Sequence, residues 1–177
     1  MVGAGASAAY QTVSEPKKII FSRLYGQYYA MVLQLALGFV KGNRDQAEDL
    51  TQEVFIQVWN HLEGFRGQSS YKTWIYRITV NSCLGFLKKS KREAELQDPM
   101  QLSHEQLSEE EDSSQKTLDE LYRALGKLDD LDRLIVSMLL EELPYEEISE
   151  VLGISASNLR VKIHRVKKKL KKLMNHE

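Results

Sequence analysis

The amino-acid sequence predicts an all-α protein of two small helical domains joined by a flexible acidic linker. Apolar residues recur at helical spacing in both halves of the chain, while an acidic, apolar-poor segment separates them. The last part also has the pattern of a helix-turn-helix. We predict a disordered leader over residues 1–16, a first domain over 17–92, the linker over 93–116 and a second domain over 117–177. A chain of 177 residues is long enough for two such cores.

The first predicted helix runs from Lys17 to Lys41 and has the apolar spacing of a core helix. Gly42 and Asn43 end it, and Asn43 or Asp45 can begin the second helix. One side of the second helix is an apolar stripe that we expect to be buried. This stripe contains Ala47, Leu50, Val54 and Val58.

The opposite side of the second helix combines acidic and apolar residues. Asp45, Glu48, Asp49 and Gln52 lie there together with Ile56 and Trp59. Exposed apolar groups within an acidic rim suit a basic, partly apolar protein partner. The alternative, that Trp59 packs on the third helix and the acids are only solvated, is equally consistent with the pattern.

A third helix follows the loop GFRGQSS, with Ser69 or Ser70 as its cap. It has two apolar faces, so we expect it to pack on more than one side. The first face has Tyr71, Trp74, Ile75 and Ile78, and the second has Tyr76, Val80, Cys83 and Leu87. Aromatic rings beside Lys72 and Arg77 can stack on bases and neutralise phosphates of single-stranded nucleic acid. Rings at this spacing are, however, more often simply core.

Residues 143–173 have the pattern of a helix-turn-helix. Pro144 suits a first helical position, Gly153 can end that helix in a left-handed conformation, and Ser155 can cap the next helix. The second helix has an apolar stripe of Leu159, Ile163, Val166, Leu170 and Leu173.

The opposite face of that helix is cationic. It presents Ser157, Val161, His164 and Lys168, flanked by Arg160 and Arg165. This pattern favours a recognition helix in a DNA major groove. The alternative is a solvated, Lys-rich helix end, because cations stabilise the carboxyl end of any helix.

Composition excludes several classes of protein. Cys83 is the only cysteine, which excludes an internal disulfide and a Cys-based zinc site and favours a reducing, cytoplasmic setting. No apolar run has the length of a membrane span, and residues 1–11 do not resemble a signal peptide. The motifs of common nucleotide-binding, hydrolytic and metalloprotease sites are missing. We therefore predict a non-enzymatic protein without a cofactor or metal, although carboxylates over Asp45–Glu53 leave a metal-dependent enzyme as a remote alternative.

The runs GNRDQAEDLTQEVFIQVWNHLEGFRGQSSYKTWIYRITVNSCL and YEEISEVLGISASNLRVKIHRVKKKL together resemble a bacterial RNA polymerase sigma factor of the extracytoplasmic-function group. The likeness extends from about Ile20 to Leu173. It implies promoter-directed transcription initiation with core RNA polymerase and promoter DNA as partners. It also admits an anti-sigma factor, itself membrane-bound in some cases.

The resemblance gives each set of residues an expected role. Core polymerase binding is implied for Asp49, Gln52, Glu53 and Ile56. Binding of the minus-ten element is implied for Phe65, Gln68, Ser69, Ser70, Tyr71, Lys72, Trp74, Arg77, Asn81 and Lys88. Binding of the minus-thirty-five element is implied for Ser157, Asn158, Arg160, Val161, Lys162, His164, Arg165 and Lys168, with Lys167 and Lys169 on phosphates.

Several residues depart from the pattern of the family. Gly85 stands where an aspartate is frequent, and Ala156, Ser157 and Asn158 replace a frequent Glu-Gly-Thr. We therefore carry over no specific promoter sequence. The alternative function is an autonomous helix-turn-helix regulator whose first domain senses a signal or dimerises.

Overall fold

The computed structural model describes residues 15–96 and 113–174, which are helical with no strand among them. The predicted all-α class is confirmed. The elements are α1 (Glu15–Phe39), α2 (Arg44–His61) followed by a short 3-10 turn (Leu62–Gly64), α3 (Tyr71–Leu96), α4 (Ser113–Gly126), α5 (Asp130–Leu140), α6 (Tyr145–Leu152) and α7 (Ala156–Met174).

Local side chains set the helix boundaries. The Asn43 side chain accepts a hydrogen bond from the Gln46 amide at the start of α2. Ser70 accepts one from the Thr73 amide at the start of α3. These contacts satisfy amides that have no partner within the helix. The predicted caps Asn43 and Ser70 are confirmed.

The turn between α6 and α7 also forms as expected. Gly153 adopts φ +66°, and Ser155 accepts a hydrogen bond from the Asn158 amide. The expectation for Pro144 was wrong by one position, since it precedes α6 with ψ 146° instead of occupying its first turn. Pro144 still fits there because no amide proton is needed at that site.

Helices extend into both ends of the segment predicted as linker. Helix α3 continues to Leu96, and α4 begins at Ser113. The α3 extension REAEL consists of good helix formers, whose intrinsic propensity favours continuation of an existing helix. Residues 97–112 and most of the leader lie outside the described residues.

Helices α1, α2 and α3 share a first apolar cluster. Its buried members are Leu24, Val32, Val54, Phe55, Val58, Leu62 and Ile75. The first apolar face of α3, with Tyr71, Trp74 and Ile78, packs against this cluster. This confirms the predicted buried stripe of α2 and the first predicted face of α3.

A larger cluster joins helices from both halves of the chain. It combines Phe39 of α1 and Tyr76, Val80 and Cys83 of α3 with residues of α5, α6 and α7. The latter include Leu134, Ile135, Met138, Ile148, Val151, Leu159 and Ile163. The second predicted face of α3 is therefore buried by α6, and the face of α5 that meets α1 is buried as well. A smaller cluster with Leu125, Leu128, Val136 and Val166 lies within the second half of the chain.

Arg133 is the principal buried charge at the junction of α1, α4 and α5, and it is 4% exposed. Its guanidinium donates to the carbonyl oxygens of Phe39, Leu125 and Leu128 at 2.9–3.0 Å. Burial lowers the pKa of Arg133, and nearby Asp130 and Asp129 oppose that effect. The planar fork of arginine can satisfy helix-end carbonyls of α1 and α4 together.

Candidate nucleic-acid and partner interfaces

The outer face of α2 is held toward solvent by the buried stripe on its other side. Asp49, Gln52 and Glu53 are exposed, and Ile56 is 60% exposed. A fixed helix thus presents acidic and amide groups around one large aliphatic side chain. This is the arrangement that the sequence predicted for a partner surface.

Trp59 has a different environment from either predicted one. Its ring packs edge-on against Phe21 of α1, with centroids 5.0 Å apart, and Lys17 lies 4.9 Å above it. The suggestion that Trp59 packs on the third helix was wrong. The reason is that Trp59 lies at the edge of α2 nearest α1, where aromatic residues of α1 are available. Ile56 therefore remains the large apolar residue on the outer face.

The loop before α3 and the first turns of α3 bring three aromatic rings together. Phe65 stacks on Tyr71 with centroids 4.3 Å apart and an interplanar angle of 25°, and it lies 5.0 Å from Trp74. All three rings are half-buried, so an edge of the cluster remains accessible. Gln68 and Ser70 are exposed beside it, and Ser69 is half-buried. The hydroxyl of Ser70 is engaged in capping α3.

Two cations of α3 contact α6. Lys72 Nζ lies 3.8 Å from Glu147 Oε2, and Arg77 Nη2 lies 3.0 Å from Glu150 Oε1. Arg77 also donates to the Glu150 carbonyl at 3.3 Å from the same nitrogen. Asn81 and Lys88 are exposed further along α3. The predicted nucleic-acid residues of α3 thus fall into a solvent-facing set and a set that α6 engages.

Burial perturbs two groups on the covered face of α3. It raises the pKa of the Cys83 thiol to about 12. It also raises the pKa of Tyr76, and the negative charges of Glu141 and Glu147 add to that effect. Both groups are therefore neutral at physiological pH, as an apolar environment requires.

A groove of about 370 Å³ runs between α2 and α3. Its lining combines Glu53 and Asn81 with Gln57, His61, Ile78, Ser82 and Gly85. The sequence interpretation missed Gln57 and His61, although the four-residue steps from Glu53 to Gln57 and from Gln57 to His61 were a usable signal. In the part of the chain that the structure describes, no group of three or more His, Cys, Asp or Glu residues could hold a metal ion.

The outer face of α7 is exposed along its length. Leu159, Ile163 and Val166 are buried on the inner side, while Leu170 and Leu173 are half-buried. The outward residues Ser157, Asn158, Arg160, Val161, His164, Arg165 and Lys168, with Lys167 and Lys169, are exposed. Val161 is 52% exposed. The predicted division of α7 into an apolar and a cationic face is present.

Lys162 differs from the other cations of α7. Its Nζ lies 2.8 Å from Asp132 Oδ1, on a side chain of α5 that is only 12% exposed. Arg160 Nη2, by contrast, lies 3.9 Å from Glu146 Oε1, and both side chains are largely exposed. Lys162 thus ties α7 to α5, whereas Arg160 can turn toward a ligand at little cost.

Comparison with known proteins connects these surfaces to a family. The model of Sigma-70 region 2 matches residues 24–93, and the model of Sigma-70, region 4 matches residues 118–170. RNA polymerase sigma factor YlaC of Bacillus subtilis is 31% identical over 165 residues, which cover 85% of this chain and 90% of that protein. The chain belongs to the extracytoplasmic-function group of sigma-70 RNA polymerase sigma factors.

Other sigma factors give the same result. The ECF RNA polymerase sigma-E factor of Haemophilus influenzae is 28% identical over 172 residues, 90% of each chain. A solved structure of the sigma factor RpoE with the anti-sigma factor NepR from Bartonella quintana has a TM-score of 0.75 at 20% identity, covering 88% of this chain and 97% of that one. CnrH in complex with the cytosolic domain of CnrY has a TM-score of 0.66 at 21% identity, with 90% of each chain covered. These structural likenesses support the fold of the sigma factor.

Region 2 of this chain comprises residues 24–93, and region 4 comprises residues 118–170. Helices α1 to α3 fall mainly in region 2, and α4 to α7 fall mainly in region 4. No helix among the described residues is long and apolar enough to cross a membrane.

Proposed function

We propose that this sigma factor binds core RNA polymerase through the outer face of α2 and promoter DNA through α3 and α7. The observation that carries the proposal is the presence of all three surfaces in one chain. An autonomous regulator would not need all three surfaces together. They are an exposed acidic and apolar face on α2, an aromatic and cationic cluster on α3 and a cationic outer face on α7.

The polymerase contact depends on Asp49, Gln52, Glu53 and Ile56. The exposed side chain of Ile56 lies among acidic and amide groups, so it can enter an apolar site while the carboxylates meet cations around it. Charge pairs at such a rim favour orientation and association rate, and burial of Ile56 favours affinity.

The minus-ten contact depends on the aromatic cluster and the polar residues near it. A flipped base can stack on Phe65, Tyr71 or Trp74 and bond to Gln68, Ser69 or Asn81, while Lys72, Arg77 and Lys88 bind phosphates. Extraction of a base from the stack costs a few kcal/mol, which stacking and hydrogen bonds of this kind can offset. Melting of the promoter is thereby coupled to its recognition.

The minus-thirty-five contact depends on the exposed face of α7 in a major groove. Arg160, His164 and Arg165 can read base edges, Val161 can meet a thymine methyl group, and Lys168 can bind a phosphate. Ser157 and Asn158 stand at the amino end of the helix, where a recognition helix first meets the bases. The ion pair of Lys162 with Asp132 makes Lys162 the weakest candidate in this set.

The proposal also covers catalysis, cellular location and a further protein partner. The chain itself performs no catalysis and acts in the cytoplasm, where Cys83 stays reduced. An anti-sigma factor is a further partner, on the precedent of the complex of the sigma factor RpoE with the anti-sigma factor NepR, in which the sigma factor has this fold. The division into two domains with an acidic linker between them is also part of this proposal, with α3 ending at Leu96 and α4 beginning at Ser113.

Run-off transcription with purified core polymerase tests the function. The template is a promoter identified by sequencing transcripts after overexpression of the chain. We expect a promoter-specific transcript only when both core polymerase and the chain are present. Tight DNA binding by the chain alone, without any such transcript, would instead identify an autonomous regulator.

A further inference from the structure

Cations on one flank of α7 are engaged by carboxylates at the start of α5. Lys162 Nζ lies 2.8 Å from Asp132 Oδ1, and Lys169 Nζ lies 3.8 Å from Asp129 Oδ2. The Asp132 side chain is only 12% exposed, so its pair with Lys162 is fixed between the two helices. Lys162 and Lys169 are about two helical turns apart, which places them on the same side of α7. Cations on this flank therefore hold α7 on its own region.

The other flank of α7 meets α6 through polar contacts. Arg160 Nη2 lies 3.9 Å from Glu146 Oε1, and the Lys167 ammonium donates a hydrogen bond of 3.4 Å to the Tyr145 hydroxyl. Tyr145 and Glu146 both belong to the first turn of α6. Partners within the chain thus border the outer face of α7 on both sides.

Between these flanks, exposed basic side chains form a single stripe along α7. At about 100° per residue, they span about 120° around the helix axis. Among the residues that the structure describes, none of these side chains has an ion pair or hydrogen-bond partner. The stripe comprises His164, Arg165, Lys168, Lys171 and Lys172. It is the part of α7 whose side-chain donors are available to an external ligand.

The stripe continues beyond the length of helix that a major groove holds. Helix α7 has 19 residues, which corresponds to about 28 Å. A recognition helix contacts base edges with its amino-terminal residues, and the groove is about 12 Å wide. The segment from Ser157 to His164 already spans about 10 Å. Lys168, Lys171 and Lys172 therefore lie past the bases, at the level of the phosphate backbone.

We propose that Lys168, Lys171 and Lys172 form a sequence-independent site for the duplex phosphates that border the base pairs read by the amino-terminal half of α7. The inference deepens the proposed function and rests on it, because it assumes that α7 enters a major groove. A lysine ammonium binds a phosphate as a point charge and needs no base-specific geometry. The site thus adds affinity and fixes the position of α7 on the duplex, without adding sequence preference.

Packing within region 4 keeps these lysines in place. Leu170 and Leu173 are half-buried against the cluster that contains Val166, and Leu121 and Tyr122 of α4 pack on the same cluster. Helix α7 extends to Met174. Lysines on a rigid helix lose only side-chain freedom when they bind, so each ammonium meets a phosphate at a lower entropic cost than it would on a flexible tail.

Helix stability alone does not account for the stripe. Lys171 and Lys172 lie in the last turn, where cations favour the carboxyl end of a helix. Lys168 lies before that turn, three and four residues from these lysines, and like charges at this spacing destabilise a helix. Phosphates against the stripe would remove the repulsion. The stripe therefore suits a bound polyanion better than a free helix.

The dependence of DNA affinity on salt concentration tests the site. Lys171→Gln combined with Lys172→Gln removes two charges and keeps good helix formers. Release of about 0.9 counterion per neutralised phosphate predicts that the slope of log affinity against log salt becomes shallower by about 1.8. The loss of affinity between about 50 mM and 200 mM salt should then be about twelvefold smaller than in the wild type. Fluorescence anisotropy of the full chain measures it, with a labelled promoter duplex and with a scrambled duplex of the same composition.

A matched control separates a local effect from one of net charge. Lys18→Gln with Arg23→Gln also removes two exposed cations, but from α1, and should keep the wild-type slope. The change in slope of the α7 variant should be equal for both duplexes, because phosphates carry no sequence information. A slope equal to that of the control, or a change confined to the promoter duplex, would overturn the phosphate site. A lower melting temperature with an unchanged slope would also overturn it, because the lysines would then only stabilise the helix end.

The outcome is separable from that of the proposed function. If the wild type gives no promoter-specific transcript with core polymerase, the sigma function fails, while the slopes on the scrambled duplex still decide whether Lys171 and Lys172 bind phosphates. If the wild type does give the transcript and the α7 variant has the slope of its control, only the phosphate site fails.

Discussion

The two helices proposed to bind promoter DNA, α3 and α7, differ in how much of their surface the chain itself covers. Both combine cations with groups that can contact bases. The outer face of α7 is exposed, whereas two cations of α3 are paired with α6. The chemistry for DNA binding is thus present at both places but directly available at only one. In the free chain we expect the upstream duplex contact to form more readily than the single-strand contact.

Among the variants that test this difference, Arg133→Ala should have the largest effect on the stability of the chain. This change leaves three buried carbonyls without donors, at about 1 kcal/mol each, so we expect a loss of about 3 kcal/mol in the free energy of unfolding. Urea denaturation measures it. Arg123→Ala removes an exposed arginine of α4 and should stay within about 0.5 kcal/mol of the wild type. Equal losses would show that Arg133 does not hold the junction.

Arg160→Ala tests the exposed helix. Loss of one base contact should weaken binding to the upstream duplex by about 1–3 kcal/mol, measured by fluorescence anisotropy. Lys162→Ala is the matched comparison, because Lys162 is paired with Asp132. It should change the melting temperature of the chain more than its DNA affinity. A greater loss of DNA affinity in Lys162→Ala than in Arg160→Ala would reverse the assignment of the two cations.

Asp49→Ala combined with Gln52→Ala tests whether polymerase binding is separate from both DNA surfaces. Removal of two exposed contacts from α2 should weaken binding to core polymerase by about 1–2 kcal/mol. Duplex binding by α7 should not change, whereas Arg160→Ala should have the reverse profile. Surface plasmon resonance with immobilised core polymerase measures the first effect. Similar effects of both variants on polymerase affinity would contradict separate surfaces.

Cys83, on the covered face of α3, should make a smaller and pH-dependent contribution to the free energy of unfolding. Its pKa is raised from 9.0 to about 12 by burial, so the native thiol keeps its proton where the unfolded thiol loses it. The thiol's contribution to stability is complete below pH 9 and falls as the pH rises toward 12, with a loss of about 1.4 kcal/mol at pH 10. Urea denaturation at pH 8 and pH 10 measures this loss of stability. The same measurement on Cys83→Ala gives the contribution of the other titrating groups, which is subtracted. Thiolate absorbance near pH 9 in the native chain would show that the cover is absent.

The faces of single helices could be predicted from sequence. Examples are the apolar stripe of α7, the buried stripe of α2 and the caps Asn43 and Ser70. These features depend on residues only a few positions apart, so the local pattern of the sequence reveals them. The partner of α3's second face could not be predicted. Tyr76, Val80 and Cys83 indicate burial, but an apolar strip does not specify which helix covers it.

The missed features are long-range and polar. Arg77 and Glu150 are 73 residues apart in sequence, and nothing local links them. Arg133 lies in a mostly apolar helix, where a lone cation predicts an exposed edge more readily than a buried junction. Lys162 looked like its exposed neighbours because the side chain of Asp132 that engages it comes from another helix.

The contact between Phe65 and Tyr71 limits how a base could bind at the start of α3. Rings only 4.3 Å apart leave no gap in which a base could be sandwiched. A base must therefore add to the outside of the stack or displace Phe65 from it. Phe65 lies between Gly64 and Gly67, the latter at φ +68°, in a loop that a small backbone rotation can move. Under the proposed function, Phe65 covers the base site in the free chain, and a base that binds between these rings has to replace it.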